Sequence, residues 1–415
     1  MTSKASLEET FWPTGTVLPG LAKRALLVTN IANPEVQRKA RSKVLKETRP
    51  VIIDIGTGSC KIGYAGDPKP SFVVSSTVVK PFRETCKTGG IQKEYLIGKE
   101  KEFFPNISQK LVNPLWHGAI VDWYCIEAML EYLFVQEMKI TPDEHAVLLS
   151  DPPLSPITNR EKYIEMMFET FNVPAFHMAY QPRLAMYSYG RTSSLVVECG
   201  HGVSYAVPIS EGHVLTSLTG RVDYAGADVT KCLMENLNGT GHKFNVEHRD
   251  IIEDIKKQFC YISFDFNNEL RLPQNKYLAE YKLPDGQRII IGKERFICPE
   301  VLFRPSLMGS PQPGLQDLTM TCINNCDASL KNSMLNNILL CGGITMLEGF
   351  PERFQKELNQ FSCHQKPSVL AWPERQFSTW RGGSVLASLK SFQQVWLYRK
   401  EYEEHGPSIV YRLCF

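Results

Sequence analysis

Two acids in this 415-residue chain stand at the same spacing from a glycine pair: Asp54-x-Gly56-x-Gly58 and Glu198-x-Gly200-x-Gly202. Alternating glycines let a turn present successive backbone N–H groups to an anion such as a phosphate, and a neighbouring acid can hold a hydrated divalent cation. In the first turn Thr57 and Ser59 add hydroxyls and Lys61 adds a positive charge. The competing reading of either turn alone is a plain β-turn in which glycine only supplies positive φ. Two better-known glycine loops are excluded by spacing. Lys61 stands where G-x-G-x-x-G needs glycine, and no G-K-[ST] follows.

Strands must position these turns. VIIDIGTGSCKIGYAG (51 to 66) reads as a buried strand, a turn and a second strand, and LVVECGHGVSYAV (195 to 207) repeats that order. A third apolar strand leads into Gly342 and Gly343 in ILLCGGITMLEGF (338 to 350). Recurrence of one supersecondary unit predicts a duplicated α/β fold. Between the hairpins a helix is predicted from Asp122, burying Ile126, Met129, Leu130, Leu133 and Phe134. A second helix buries Ile164, Met167, Phe168 and Phe171, with Thr158 and Glu161 as a capping box. Further on, HRDIIEDIKKQFCYISF reads as helix, Asp285 and Gly286 as a hairpin turn, and 383 to 396 as a last helix.

Composition narrows the class. A net charge of +2 argues against nucleic acid or an acidic membrane as an obligate partner, and no apolar run is long enough for a transmembrane segment. The N-terminus lacks a signal-peptide pattern, so a cytoplasmic protein is expected. The twelve cysteines are scattered, and Cys60, Cys199, Cys260 and Cys341 lie in apolar stretches as core thiols. Residues 1–49 carry nine Lys or Arg against four Glu, with Phe11, Trp12 and several leucines among them. This extension reads either as a solvated, partly helical tail or as a partly disordered docking arm.

The three glycine segments resemble the first phosphate, second phosphate and adenosine motifs of the actin, sugar kinase and heat-shock-70 ATPase superfamily. FETFNVPA (168 to 175), SYGRTS (188 to 193), LPDGQRIIIGKERFICPEVLF (283 to 303), GGSVLASLKSFQQVW (382 to 396) and EEHGPSIVYRLCF (403 to 415) are similar to actin itself. SDPPLSP, GHGVSY and the N-terminal extension resemble the testis-type actin-like proteins. The resemblance implies an actin-like fold of two duplicated α/β domains around a nucleotide cleft. Its small domain would take 50–188 plus 378–415 and its large domain 189–377.

The resemblance also implies roles. Gly56, Thr57, Gly58, Ser59 and Lys61 would hold the phosphates of ATP or ADP, and Asp54 would hold Mg²⁺ through water. Glu198, Gly200 and Gly202 would form the second phosphate turn. Gly226, Lys256, Gly342, Gly343 and Met346 would lie on the nucleoside side. Several matched positions depart from the family. Glu198 replaces Asp, His201 replaces a second carboxylate, and Tyr205 replaces a histidine that helps orient the attacking water. The water-positioning glutamine is kept as Gln181, but Pro182 follows it and disfavours helical backbone there, which would displace its side chain. Lys257, Leu347 and Gln376 replace a ribose-binding carboxylate, a purine-stacking tyrosine and a purine-side lysine. Lys256 and Lys257 equally read as a solvated helix face.

These changes imply a nonenzymatic structural protein whose nucleotide is a weak or folding ligand. A slow ATPase of the same superfamily is the alternative. Tyr187, Gly190, Arg191, Leu386, Leu389 and Val395 match a groove into which actin-binding proteins insert apolar helices, or else they are ordinary helix packing. The family's longitudinal-contact loop is matched by RETCKTGGIQKE (83 to 94), which has few apolar anchors, and its lateral plug by the polar SLMGSPQPG (306 to 314). The expected partners are cytoskeletal and actin-binding proteins and other actin-related proteins in mixed assemblies. The expected location is the cytoskeleton of the sperm head, around the acrosome and nucleus.

Overall fold

The computed structural model describes residues 48–81, 87–88, 91–92, 94–103, 109–361 and 365–413. Most of the N-terminal extension, and most of RETCKTGGIQKE, lie outside them. The chain forms two compact units: one takes the described residues up to Ser193 with Ile209–Thr216 and Phe377 onward, the other Ser194–Pro208 and Ser217–Gln376.

In the first unit the strand Val51–Ile55 pairs antiparallel with Ser59–Tyr64 and parallel with Val147–Asp151, which pairs parallel with Ala175–Tyr180. Phe72–Ser75 and Leu397–Tyr398 close the two edges. Alternation along the strands divides the side chains between two faces. Val51, Ile53, Val147 and Leu149 join a core with Ile126, Met129, Leu133, Phe134, Ile164, Met167 and Phe168. On the other face lie the helices Gln181–Ser188 and Ser378–Ser388. Trp380 is fully buried there, with Nε1 donating to Ile52 O at 3.1 Å. Gly382 is required by close approach, since a Cβ would lie 1.7 Å from Leu184 O.

The second unit repeats the plan. Ser194–Cys199 lies between Ser204–Ser210 and Ile338–Cys341, and the latter continues to Val369–Leu370. The pairs Ser194–Cys199 with Ile338–Cys341 and Ile338–Cys341 with Val369–Leu370 are parallel. The duplication extends to one backbone bond. Gly56 N donates to Ser59 O and Gly200 N donates to Val203 O, each at 3.2 Å. Mixed sheets bearing the same hairpin twice are the duplicated α/β arrangement that the resemblance implies.

Local expectations fare unevenly. The helix Trp123–Glu131 begins where predicted, with Asp122 Oδ1 accepting from Cys125 N at 3.0 Å. The capping box at Thr158 does not form: Pro156 precedes the helix Ile157–Glu165, so Thr158 is already inside its first turn. The next helix, Arg249–Phe259, stops short of the predicted end. Tyr261 N and Ile262 N bond instead to Arg295 O (3.1 Å) and Glu348 O (2.8 Å), which makes that stretch extended. The last predicted helix is Ser378–Ser388, and extended backbone at Leu389 separates it from a 3-10 turn, Lys390–Gln394. Asp285 and Gly286 do form the hairpin turn, with Gly286 at φ 90. Cys60, Cys199, Cys260 and Cys341 are buried free thiols. Among the described residues no helix is long and apolar enough to cross a membrane.

Candidate functional site

The first hairpin tip is held by its carbonyls. Ser76, fully buried, donates through Oγ to Gly56 O at 2.6 Å and through N to Gly58 O at 3.2 Å, while Asn113 Nδ2 donates to Thr57 O at 2.8 Å. In trans peptides each N–H opposes the preceding C=O, so the N–H groups of Thr57, Gly58 and Ser59 face away from these supports. Successive N–H groups on that side of a turn can meet an anion.

Beneath it Asp54 is 5% exposed. Its Oδ1 accepts from Ser150 Oγ at 2.6 Å and Gln181 Nε2 at 3.3 Å, and its Oδ2 lies 3.1 Å from Lys61 Nζ. The anticipated displacement of Gln181 does not occur. Gln181 opens a helix with Pro182 in its first turn, where proline's missing N–H costs nothing. The amide therefore reaches Asp54.

The second hairpin tip is pinned in the same way by different groups. Gly226 N donates to Gly200 O at 3.2 Å and Ala227 N to His201 O at 2.6 Å, docking the start of the helix Gly226–Gly239 on the turn. A Cβ on Gly226 would stand 3.2 Å from Gly200 O. The His201 ring goes to protein partners: Nε2 is 2.6 Å from Arg249 Nη2, and Nδ1 is 3.7 Å from Glu253 Oε1. Burial pushes its pKa down to about 4, so the imidazole is neutral at pH 7.

Lys256 is buried beside it. Its ammonium contacts Gly226 O at 2.9 Å, Thr230 Oγ1 at 2.7 Å and Glu253 Oε2 at 2.7 Å, which uses its three donors. Thr230 Oγ1 also bonds Glu253 Oε1 at 2.5 Å. Burial lowers the Lys256 pKa; burial raises that of Glu253, but the Lys256 charge and the hydrogen bonds from Lys256 and Thr230 outweigh it and hold Glu253 below its ordinary value. Arg249, Glu253 and Lys256 together leave one net positive charge under the turn. Lys257, by contrast, is exposed.

Tyr205, 2% exposed, has Arg221 above its ring at 5.7 Å and Arg221 Nη1 3.4 Å from its hydroxyl. Glu198 and Gly202 flank these groups, half-buried and buried respectively. In the third turn Gly342 has φ 92, and a Cβ would meet Cys199 O at 2.1 Å. Gly343 is exposed, Met346 half-buried, Leu347 buried and Gln376 exposed. The turn is braced by Arg375, whose Nε donates to Thr345 Oγ1 at 3.0 Å while its Nη2 bonds Thr345 O.

The groove residues lie in the first unit. Tyr187, Leu386 and Val395 are buried, Leu389 and Gly190 half-buried, and Arg191 exposed. Gly190 takes positive φ (67) at the end of the Tyr187 helix.

The first hairpin therefore fits the phosphate and hydrated cation of a Mg²⁺–nucleotide. The second offers an N–H turn and positive charge, but His201 does not replace the missing carboxylate. Sequence reading missed Ser76, Asn113, Ser150, Thr230, Arg249 and Glu253. Only the last two carried a signal, since 249 and 253 share a helix face with Lys256.

The sequence profile of the actin family, described as Actin, matches residues 45–415. The chain is 55% identical over 389 residues to Actin-like protein 7A of Rattus norvegicus, covering 92% of this chain and 88% of that protein. It is 52% identical over 419 residues to Actin-like protein 7A of Homo sapiens, covering 100% and 96%. Against Actin-like protein 7B of Homo sapiens it is 52% identical over 379 residues, covering 91% of each.

Proposed function

The chain belongs to the actin family, and from that premise we propose that it is a nonenzymatic, cytoskeletal actin-related protein that acts through protein contacts. ATP or ADP with Mg²⁺ is a structural ligand, not a substrate. The observation that carries this reading is the engagement of His201 by Arg249 at 2.6 Å, with Tyr205 sealed into the core. Neither side chain is placed to take a proton from an attacking water, and losing such a group typically costs about 10² to 10⁴ in rate.

When bound, the nucleotide supplies a triphosphate or diphosphate and a hydrated cation. Thr57, Gly58 and Ser59 bind the anion through N–H groups, and Lys61 adds charge. Asp54 would hold the hydrated cation. The Lys256 ammonium acts indirectly, by holding Gly226 against the second turn. Gly342, Gly343 and Met346 serve the nucleoside.

The small domain is assigned 50–188 plus 378–415 and the large domain 189–377, with residues 1–49 as a docking arm. Tyr187, Gly190, Arg191, Leu386, Leu389 and Val395 are proposed to receive an apolar helix of an actin-binding protein or of another actin-related protein in a mixed assembly. Resemblance to the testis-type proteins supports a location in the sperm head, around the acrosome and nucleus.

The test is nucleotide extraction from native protein together with phosphate release. Bound ATP or ADP without turnover supports the reading; no extracted nucleotide and no thermal shift with Mg-ATP removes the ligand from it. Saturation at about 1,000 times Kd should stabilise folding by roughly 4 kcal/mol. The intact Asp54, Ser150 and Gln181 cluster favours the alternative of a slow ATPase, and steady phosphate release would establish it.

A further inference from the structure

The helix Trp123–Glu131 runs on into a π-helical segment, Tyr132–Met138, and its inner face enters the core of the first unit through Ile126, Met129, Leu130, Leu133 and Phe134. The outer face is uncovered. Tyr124 is 78% and Val135 48% exposed, with Glu131 exposed and Glu127 half-buried between them. Val121, just ahead of the helix, is 61% exposed.

From Asp122 to Glu144 the chain carries six carboxylates against one cation, Lys139. Two of the acids are engaged locally: Asp122 accepts from Cys125 N at 3.0 Å and Glu137 from the Tyr132 hydroxyl at 2.8 Å. The side chains of Glu127, Glu131, Asp143 and Glu144 have no partner among the described residues.

The N-terminal extension joins the body at this strip. Thr48 Oγ1 donates to Glu144 O at 2.7 Å, and His145 Nδ1 donates to Arg49 O at 2.9 Å. Immediately before Thr48, residues 37–47 carry Arg38, Lys39, Arg41, Lys43 and Lys46 against Glu47, with Val44 and Leu45 among them. Length suffices as well as charge. These eleven residues span up to about 36 Å when extended, whereas Trp123–Met138 rises no more than about 24 Å.

We propose that residues 37–47 dock in cis on the outer face of the helix Trp123–Met138, their basic side chains against Glu127, Glu131, Asp143 and Glu144 and their aliphatic ones over Val135. One exposed ion pair holds little, but several on a tethered segment act at high effective concentration. The segment runs back along the helix from Glu144, which directs the residues upstream of it toward Tyr124 and Val121. This contact concerns the root of the extension and stands whether or not its upstream residues meet another protein.

The test uses the full-length protein and a zero-length carbodiimide, which joins a lysine amine to a carboxylate as an amide with loss of water, followed by peptide mass mapping. Lys39, Lys43 or Lys46 should be linked to Glu127 or Glu131 within one chain. Reversing the helix charges (Glu127→Lys with Glu131→Lys) should abolish those links and speed tryptic cleavage after Arg41 at least about five-fold, since proteolysis tracks the open population. Should that variant fail to fold, Lys39→Glu with Lys43→Glu leaves the body unchanged and should remove the protection of Glu127 and Glu131 from coupling to an added amine. Links found only in crosslinked dimers assign the face to a second copy, and cleavage after Arg41 equally fast with and without the reversal leaves the face uncovered. Either result overturns the proposal.

Discussion

Arg249 Nη2 stands 2.6 Å from His201 Nε2. Since a guanidinium only donates, Nε2 must accept, which fixes the imidazole as the neutral tautomer with its proton on Nδ1. Nδ1 faces Glu253 Oε1 at 3.7 Å, beyond direct bonding range. The tip of the second hairpin is therefore organised by an arginine, a neutral histidine and the Glu253–Lys256 pair, in place of a carboxylate.

Acid should loosen this arrangement. Burial lowers the His201 pKa to about 4, against about 6.5 in an unfolded chain. As pH falls below about 6.5 the unfolded state takes up a proton first, so the stability present above that pH is lost progressively down to about 4. The loss is at most about 3 kcal/mol at the lower end. His177, also buried, has its pKa pushed down to about 3 and extends the decline. Melting temperatures of the unaltered protein and His201→Gln, compared from pH 7 to 4, check this. Glutamine can still accept from Arg249 but does not titrate, so its curve should be flatter; identical slopes would show that His201 does not contribute.

Hydrolysis should be restored, if at all, only by changing both altered positions. His201→Asp provides Arg249 with a carboxylate partner and adds negative charge for a hydrated cation. Tyr205→His opens space under Arg221 for an imidazole. The double variant should release phosphate from Mg-ATP faster than the unaltered protein by about ten-fold or more, and either single change by less. A double variant that folds, binds nucleotide and shows no gain would place the block elsewhere.

The two hairpins were legible in the sequence because an acid and two glycines at fixed spacing are a local signal, and the same turn bond forms at Gly56 and Gly200. The apolar rows through Met129 and Met167 were legible for the same reason: a helix period is local. The role of Lys256 was not. Its spacing allowed a solvated face, but its neighbours Gly226 and Thr230 come from a distant helix, and only tertiary packing brings them within bonding range. Thr158 misled because a capping pattern ignores proline's power to fix the start of a helix. Gln181 misled because proline disfavours helical backbone at the residue before it, yet Gln181 opens the helix with Pro182 in the first turn, which tolerates proline.

A buried ion pair should dominate the stability of the second unit. Glu300 and Arg353 are 1% and 2% exposed, and Arg353 Nη1 and Nη2 donate to the two carboxylate oxygens at 3.1 and 2.8 Å. Arg353 Nη1 also bonds Ser263 O at 2.7 Å, so the pair supports the extended stretch after the Lys256 helix. Glu300→Gln removes the more buried of the two carboxylates that Arg353 bonds, and one-sided loss of such a pair costs about 3–5 kcal/mol. Glu357, 2.6 Å from Arg353 Nε, keeps the expectation at the lower end. Denaturant unfolding measures it; a change below about 1 kcal/mol would mean the pair behaves like an exposed one.

Self-assembly into actin-type filaments should fail. Across the segment matched to the family's longitudinal-contact loop, Lys87–Thr88 pairs with Ile91–Gln92 as a two-residue ribbon, and Ile91 is the one large aliphatic side chain that RETCKTGGIQKE provides. Each large apolar anchor missing from a subunit contact forfeits roughly 1.5 to 3 kcal/mol of burial, and a weak contact cannot spare two or three. In the matched lateral plug, Leu307 is half exposed among serine, proline and glycine, which gives little more. The groove residues Tyr187, Leu386 and Val395 remain, so binding of another protein's apolar helix is compatible with failure of self-stacking. Sedimentation of the purified protein at tens of micromolar with Mg²⁺, K⁺ and ATP should leave it in the supernatant. Helical filaments seen by electron microscopy under those conditions would show that contacts outside RETCKTGGIQKE suffice.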